Sequence, residues 1–461
     1  MEFNVMGNSF AMHAALAAVS VLFACKTSSS SRVRTDQTQA LANPDPRQEF
    51  VRVEATNFIL AGKPFVFQGT NFYRVGLRDN LYTDQEVTDI MSKIHGSGMR
   101  VLRLWGFACG TTNGMLEAGL PDSGNATPPI LNRQGEYEEQ ALVYLDRVIA
   151  AAGNAGLKVI LPFVNFEPAY CGMEWWTHAY GVKSESKQSF YCNADVIKAY
   201  KAYVATMLNR VNTVSGIAYK NDPGIMAIEV ANEPHTEDGY ETSGHLDPSC
   251  KSFANGKPGE IVNHWLSEIT SYVRSIDSNH LISTGEEGYR IKGDQSKHAW
   301  VHNGLKGVDF DRNISLPNVS FATVHLYPDN WNLPQEEFDS WYVPQVIKNR
   351  AEIAHAAGKP IVMEETGFSI YVPSDTSKFM EKVKAHGYYK DRAKWIGAMY
   401  KAANDAGYSG TMIWQAVPLR PDGTPYDVDY FTFGFNDPAM AAITNQVDAI
   451  KKRYGFVPGS R

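Results

Sequence analysis

Eight short apolar segments alternate with helix-like segments from about residue 50 onwards, and this alternation restricts the possible folds more than any other feature of the chain. Most of the segments end in a polar or aromatic residue, as buried strands of parallel sheets often do. Strands are predicted at Pro64–Asn71, Met99–Trp105, Lys158–Asn165, Met226–Asn232, His280–Gly285, Val319–Tyr327, Pro360–Glu365 and Thr411–Gln415. Helices are predicted between them, for example at Asp84–Gly96, Glu138–Gly156, Ala194–Val214, Ile261–Ile276, Trp341–Ala357 and Asp391–Ala406, and several end at glycine.

Eight strands alternating with helices predict an α/β fold, a single-domain (β/α)8 TIM barrel over residues 48–461. An open doubly wound sheet is the alternative, but no glycine fingerprint follows the first strand to support it. Long insertions follow strands two, three and four, at Gly106–Arg133, Phe166–Asn193 and His235–Gly259. Because all three lie on the carboxyl side of the barrel, they are expected to wall a cleft for an extended ligand.

The N-terminus has the pattern of an export signal. Ala14 to Ala24 is apolar but too short to cross a membrane, and it ends at Cys25. Leu22 to Cys25 resembles a bacterial lipobox, in which the cysteine becomes the lipidated first residue. Residues 1–25 are therefore predicted to be a signal peptide of lipoprotein type, and residues 26–47 a flexible polar tether.

Charge and cysteine spacing argue against nucleic-acid binding and against a zinc site. The net charge of −7 comes with no basic run, so nucleic acid is not an expected partner. Apart from Cys25 the chain has Cys109, Cys171, Cys192 and Cys250, whose spacings do not match a zinc site. Export permits disulfides, and the Cys171–Cys192 pair is favoured because the two residues flank one predicted loop.

The stretch from Ile228 to Pro234 is the first candidate for chemistry. An apolar run stops abruptly at Asn232, Glu233 and a proline. By itself this pattern fits a helix N-cap as well as a catalytic strand end. Other predicted strands also end in polar or aromatic side chains, which would share one rim of the barrel: Arg103, Trp105, His325, Tyr327, Glu365 and Trp414.

Two carboxylates across a barrel mouth suit the hydrolysis of a glycosidic bond, in which one donates a proton while the other attacks or activates water. Arg103 would favour the ionised form of a nearby carboxylate, and the Tyr327 hydroxyl could donate a hydrogen bond to it. Asn232 could bind the sugar 2-hydroxyl, and Trp414 could form the floor under the reacting ring. The large aromatic residues Trp175, Trp176 and Trp331 are candidate stacking platforms in the cleft.

The ordered set of strand-end motifs resembles glycoside hydrolase family 5. These motifs are Asn232-Glu-Pro at strand four, His325-x-Tyr at strand six, Glu365 at strand seven and Trp414 at strand eight. Further segments resemble the endo-β-1,4-mannanase branch: Arg103-Leu-Trp-Gly-Phe, Tyr219-Lys-Asn-Asp-Pro-Gly-Ile-Met-Ala, Gly285-Glu-Glu-Gly, His325-Leu-Tyr-Pro-Asp-Asn-Trp and Gly358-Lys-Pro-Ile-Val-Met-Glu-Glu.

The resemblance implies a retaining double displacement with Glu233 as general acid/base and Glu365 as nucleophile. It also implies sugar contacts from Arg103, Asn232, His325, Tyr327 and Trp414. Spacing to Gly367 favours Glu365 over Glu364, although Thr366 stands where the family has an aromatic residue, and Glu364 would point to the opposite face of its strand. The branch also commonly has arginine after Asn-Glu-Pro, so His235 predicts weaker or pH-sensitive binding on the leaving-group side.

The expected activity is hydrolysis of mannan, glucomannan or galactomannan, with no metal or organic cofactor. Another family 5 β-glycanase is the nearest alternative, either a cellulase or an exo-acting mannosidase. A non-catalytic carbohydrate-binding surface lipoprotein is the third. The expected partner is the polysaccharide, the expected state is a monomer, and membrane contact is expected only through a lipid at Cys25.

Overall fold

A computed structural model describes residues 49–77, 82–110, 129–133, 136–182, 187–236, 246–252, 254, 257–291 and 298–454. The predicted signal peptide, the tether and Cys25 lie outside these residues. No helix in the described part of the chain is long and apolar enough to cross a membrane.

Eight parallel strands form the central sheet, and each is followed by a helix along the chain. The strands are β1 (Phe67–Asn71), β2 (Val101–Arg103), β3 (Lys158–Pro162), β4 (Ile225–Glu229), β5 (Leu281–Ser283), β6 (Ala322–Leu326), β7 (Ile361–Thr366) and β8 (Gly410–Trp414). The helices that follow them are α1 (Asp84–Gly96), α2 (Glu139–Asn154), α3 (Ala194–Asn209), α4 (Glu260–Ile276), α5 (Phe310–Asn313), α6 (Phe338–Lys348, which is π-helical, continuing as Asn349–Ala356), α7 (Arg392–Ala406) and α8 (Met440–Tyr454).

The strand pairing establishes a barrel. The first and last strands, β1 and β8, pair in parallel from Phe67 opposite Gly410 to Asn71 opposite Trp414. The remaining gap, between β5 and β6, is bridged by a hydrogen bond in which the Ser320 N–H donates to the Ile282 carbonyl at 2.7 Å. An open doubly wound sheet would leave two free edges, so the predicted (β/α)8 barrel is confirmed and the alternative is wrong.

Smaller elements close the ends of the barrel. Short antiparallel strands at Arg52–Glu54, Asn57–Leu60 and Lys63–Pro64 form a separate sheet. Phe58 and Phe65 pack with Phe67 and Val101 from the barrel strands, so this sheet covers the amino ends of the strands. The predicted first strand therefore divides, because Pro64 belongs to the small sheet and β1 begins at Phe67. The other short elements are strands Leu131–Arg133, Glu136–Tyr137, Ala416–Val417 and Phe433–Gly434, helices Met173–Ala179, Gln188–Cys192 and Lys378–His386, and single turns at Tyr73–Gly76, Tyr219–Asn221, Pro248–Cys250, Ala299–Val301, Gln335–Glu337 and Tyr388–Asp391.

Disulfides join the three insertions in series. Cys109 of the first insertion pairs with Cys171 of the second, and Cys192 of the second pairs with Cys250 of the third. The favoured Cys171–Cys192 pair is therefore wrong. Because β2, β3 and β4 are neighbours in the sheet, their insertions lie side by side, and cysteines distant in sequence become closer than those within one loop.

Candidate active site

A cleft of about 480 Å³ opens at the carboxyl ends of the barrel strands. Its lining includes the predicted residues Trp105, Asn232, Glu233, His235, Tyr327, Trp331, Glu365 and Trp414. Residues from the ends of β2, β4, β6, β7 and β8 therefore meet in one place, as the barrel closure requires.

The segment after β4 turns sharply to place Glu233 in this cleft. No helix begins within residues 230–236, so the N-cap interpretation of the stretch is wrong. Glu233 has a φ of 52°, a left-handed conformation that is unfavourable for a side chain with a Cβ. Its N–H donates to the Gly285 carbonyl at 2.8 Å. Gly285 itself has a φ of 68°, and a Cβ there would lie 1.9 Å from the Ala231 carbonyl oxygen, so this close approach requires glycine.

Glu233 and Glu365 face each other across the cleft. One carboxylate oxygen of each and a ring nitrogen of His325 all lie within 4.8 Å of one another. Retaining glycosidases hold their two carboxyl groups about 5–5.5 Å apart, whereas inverting enzymes leave about 6.5–9.5 Å for a water. The separation therefore fits the retaining geometry. These three residues also have the spacing of a metal site, but each already contacts another, and the expectation of no metal remains a prediction.

Arg103 is fully buried beneath the two glutamates and hydrogen-bonds several side chains of the site. Its Nη1 donates to Glu365 Oε1 at 2.5 Å, and its Nη2 donates to Asn232 Oδ1 at 2.5 Å and also to Glu229. The Tyr327 hydroxyl donates to the other oxygen of Glu365 at 2.7 Å. Two donors, one of them cationic, therefore fix Glu365 from below, which suits a carboxylate that must attack in one direction.

Glu364 lies inside the barrel, contrary to the expectation that it would point to the opposite face. Its Oε2 lies 3.4 Å from His325 Nε2 and 3.8 Å from Arg103 Nε. The pairing of β6 with β7 is irregular at this point: Val324 pairs with Met363 and His325 pairs with Glu365, so Glu364 is an extra residue. A bulge of this kind interrupts the strict alternation of side chains, which is why the prediction for Glu364 was wrong.

His325 links the two carboxyl groups of the site. Its Nδ1 lies 2.8 Å from Glu233 and 3.5 Å from Glu365, and its ring is fully buried. Burial lowers the pKa of His325, but the charges and hydrogen bonds of the surrounding glutamates outweigh this and raise the pKa well above its usual value. The raised pKa favours the protonated imidazole, which has two N–H groups, and both can donate to carboxylates.

The protonation of the two glutamates is coupled through this histidine. Burial and the charge of Glu233 raise the pKa of Glu365, despite His325 and Arg103. Burial also acts to raise the pKa of Glu233. The hydrogen bond and charge of His325 outweigh burial, so the pKa of Glu233 lies below its usual value. Because His325 contacts both carboxyl groups, the two glutamates and the histidine share their protons as one unit. The exposed fraction of the side chain distinguishes the two residues: Glu233 is 20% exposed and Glu365 only 5%.

Aromatic rings from three strand ends form one side of the cleft. The Trp414 ring stacks on Tyr73 with centroids 4.8 Å apart and lies 5.7 Å from Trp105. The Trp414 indole N–H donates to Asp429 at 2.9 Å, which fixes the orientation of the ring. Trp414 therefore lines the cleft in a fixed orientation, and its predicted place under a sugar ring stays a prediction.

Trp331 lines the cleft, but Trp175 and Trp176 do not. Both are about 1% exposed and pack against other parts of the chain: Trp176 lies 5.5 Å from Tyr200 of α3, and the Trp175 indole donates to the Gly110 carbonyl of the first insertion. A stacking platform needs an exposed face, so the predicted role of these two residues in sugar binding is wrong. Apolar residues of the short helix Met173–Ala179 supply a core for the insertion instead.

His235 lines the cleft next to Glu233, and its ring is nearly buried. Its side chain is 7% exposed, its ring centroid lies 3.5 Å from that of Phe166, and its Nδ1 lies 2.9 Å from the Glu233 carbonyl. Burial and the nearby charge of Lys306 lower its pKa to about 3. This lowered pKa favours the neutral ring, and the expectation of weaker or pH-sensitive binding at His235 stays a prediction.

Several cleft residues lie outside the sequence prediction, which rests on the ends of strands two, four, six, seven and eight. Residues that follow strands one, three and five also line the cleft: Tyr73, Asn165, Glu167, Ala169, Tyr170, Glu287, Tyr289, Trp300 and Lys306. Asn165 accepts a hydrogen bond from the Asn232 amide at 2.9 Å and so orients it. Barrel symmetry alone would have indicated these strand ends. Asn330 lies next to Trp331 in a segment that resembles the family, whereas Phe431 lies further along its loop and has no comparable sequence signal.

A parallel barrel whose mouth holds two close carboxyl groups, a buried arginine and an aromatic floor defines the class of barrel glycoside hydrolases. Residues 48–426 match the family described as "GH family 5 beta-mannosidase-like". The chain therefore belongs to glycoside hydrolase family 5.

Similar proteins and similar solved structures are named as endo-mannanases within this family. The chain is 28% identical over 407 residues to mannan endo-1,4-beta-mannosidase A of Podospora anserina, covering 87% of this chain and 91% of the relative. It is similar to the endo-1,4-beta-mannanase structure from Rhizomucor miehei, with a TM-score of 0.68, 28% identity and coverage of 88% and 100%. The endo-beta-1,4-mannanase from Thermotoga petrophila gives a TM-score of 0.66, 25% identity and coverage of 84% and 77%.

Proposed function

We propose that this protein is a retaining endo-β-1,4-mannanase that cuts internal bonds of mannan, glucomannan or galactomannan by double displacement. The observation that carries this proposal is the close pair of Glu233 and Glu365 at the ends of two barrel strands. Family membership and the mannanase relatives supply the substrate class. The intact pair argues against the alternative of a non-catalytic carbohydrate-binding lipoprotein.

In the first step Glu365 attacks the anomeric carbon while Glu233 gives a proton to the departing glycosidic oxygen. Arg103 and Tyr327 hold the two oxygens of Glu365, so the attacking lone pair is directed into the cleft. Asn232 contacts the sugar beside the reacting carbon, and Trp414 lies under its ring. This step leaves a glycosyl ester on Glu365 and releases the part of the polymer on the leaving-group side.

In the second step Glu233 acts as a base. It takes a proton from water, which attacks the same carbon from the side that the leaving group vacated, and Glu365 departs as a carboxylate. His325 contacts both carboxyl groups. Its ring N–H can therefore donate a hydrogen bond to whichever of the two is ionised at each step. The two inversions give net retention of configuration.

Product analysis on three substrates tests this function and its alternatives. Incubation with glucomannan, galactomannan and a soluble cellulose derivative should release manno-oligosaccharides of several lengths early in the reaction of the first two. Release of single mannose units from the start would instead indicate an exo-acting mannosidase. Cleavage of the cellulose derivative alone would indicate a cellulase, and no cleavage of any would indicate the binding protein.

We also propose that the protein is exported and held at the cell envelope by a lipid on Cys25, and that it acts as a monomer. The apolar segment before Cys25 and the polar residues 26–47 after it support this location. A Cys25→Ser variant should move from the membrane fraction to the soluble fraction, because one thioether-linked lipid anchor is lost. Fractionation of cells expressing either form measures this, and an unchanged distribution would reject the lipid anchor.

A further inference from the structure

An aromatic surface continues from the cleft onto the rim formed by the loops after β7 and β8. We call it the rim patch; its members are Tyr371, Phe379, Tyr389, Tyr430 and Phe431. Phe431 lines the cleft, and its ring centroid lies 5.1 Å from that of Tyr327, which holds Glu365. Phe379 follows at 6.1 Å from Phe431, and Tyr430 at 5.9 Å from Phe379. The rings thus lead from the reacting centre to the protein surface.

The outer end of the rim patch is exposed and held in place. Tyr430 is 45% exposed, and its hydroxyl donates to Asp375 Oδ2 at 2.8 Å. Its backbone carbonyl accepts a hydrogen bond of 2.7 Å from the Ile370 N–H. Beside Ile370, the Tyr371 ring lies 5.0 Å from that of Tyr389. The exposed ring is therefore fixed before any ligand arrives, which lowers the entropy cost of binding.

The loop that carries the rim patch is tied to the floor of the active site. Asp429 accepts hydrogen bonds from the Phe431 N–H at 2.8 Å and the Thr432 N–H at 2.7 Å. Its other oxygen accepts the Trp414 indole N–H at 2.9 Å. One carboxylate therefore sets the position of the ring under the reacting sugar and the position of the rim patch together.

From this geometry we propose that the rim patch is an additional binding surface for the polysaccharide chain, beyond the sugars held in the cleft. The proposal rests on the proposed function. Pyranose rings have an apolar C–H face and polar edges, and the exposed tyrosine offers an apolar face with a polar tip. Exposed apolar patches often mark ligand-binding grooves. Phe431 belongs to both the cleft and the rim patch and joins the two surfaces.

A Tyr430→Ala substitution tests the proposal because the ring reaches no reacting atom. Loss of one stacked ring should raise KM on soluble glucomannan roughly two- to tenfold and weaken retardation in gels containing that polymer. The kcat/KM on an aryl β-mannobioside, whose two sugars are expected to occupy the cleft itself and not the surface at Tyr430, should stay unchanged. Tyr430→Phe keeps the ring and should retain most of the polymer affinity.

Tyr454→Ala is the matched control, since Tyr454 is 38% exposed at the end of α8, away from the cleft residues. Polymer affinity of Tyr430→Ala equal to that of this control would overturn the proposal, as would equal losses on polymer and aryl mannobioside. A change in oligomeric state or vesicle binding with normal gel retardation would assign the patch to another partner. Failure of the wild-type protein to cleave any mannan would count against the proposed function instead, and the gel assay would still report on the patch.

Discussion

Replacing Glu365 by glutamine should abolish almost all hydrolysis of mannan, with kcat falling by at least about 10⁴-fold. A carboxamide cannot attack the anomeric carbon, so no glycosyl ester forms. Little disturbance of the fold is expected. The oxygen of the new amide can still accept from Arg103 Nη1, and its NH₂ group can donate to the Tyr327 hydroxyl oxygen, which accepts as well as donates. Initial rates on glucomannan, with thermal unfolding of the same samples, measure both effects.

Glu352→Gln is a suitable control for this substitution, because Glu352 is exposed on the outer helix α6. This variant should hydrolyse glucomannan at the wild-type rate. Near-normal turnover by Glu365→Gln would show that another carboxylate is the nucleophile. Glu364 would be the first to examine, since it shares the contacts with Arg103 and His325.

Replacing Glu233 by alanine should produce a loss that depends on the leaving group. On mannan the departing sugar oxygen needs a proton, so kcat/KM should fall by roughly 10²–10⁴-fold. On a dinitrophenyl β-mannobioside the leaving group departs as a stable anion, and kcat/KM should fall far less. Hydrolysis of the glycosyl enzyme would still lack its base, so kcat should remain low on both substrates.

Added azide distinguishes this role from a structural one. Azide attacks without a general base, so it should raise kcat of Glu233→Ala on the dinitrophenyl substrate and give a glycosyl azide as product. The wild-type enzyme should not respond, because water activated by Glu233 already reacts. Equal losses on mannan and the dinitrophenyl substrate, with no effect of azide, would contradict the acid/base assignment.

The alternation of strands and helices was sufficient to predict the barrel and the rim on which the chemistry lies. Once strands are parallel and closed, their carboxyl ends must meet, so residues as distant in sequence as Arg103 and Trp414 could be placed together. The predicted helix Ala194–Val214 extends too far at its C-terminus, because α3 ends at Asn209. Arg210 lies outside the helix and forms ion pairs with Glu139 and Asp146. Such ion pairs join separate helices and leave no local pattern.

Errors arose where a residue's environment depended on neighbours from other parts of the chain. Trp175 and Trp176 have the same sequence appearance whether they are buried or line a cleft. The side on which Glu364 lies depended on one irregular pairing between β6 and β7. The disulfide partners depended on insertions of neighbouring strands lying side by side, since distance in space rather than in sequence sets which cysteines meet.

By itself the sequence determined the strand order, the family and the two candidate carboxylates, because periodicity and strand-end motifs are local features of the chain. Only the tertiary structure decided the separation of Glu233 and Glu365, the shared contacts of His325 and Arg103, and the burial that lowers the pKa of His235. These are properties of distance and burial, and they arise when the barrel closes and water is removed from between its strand ends.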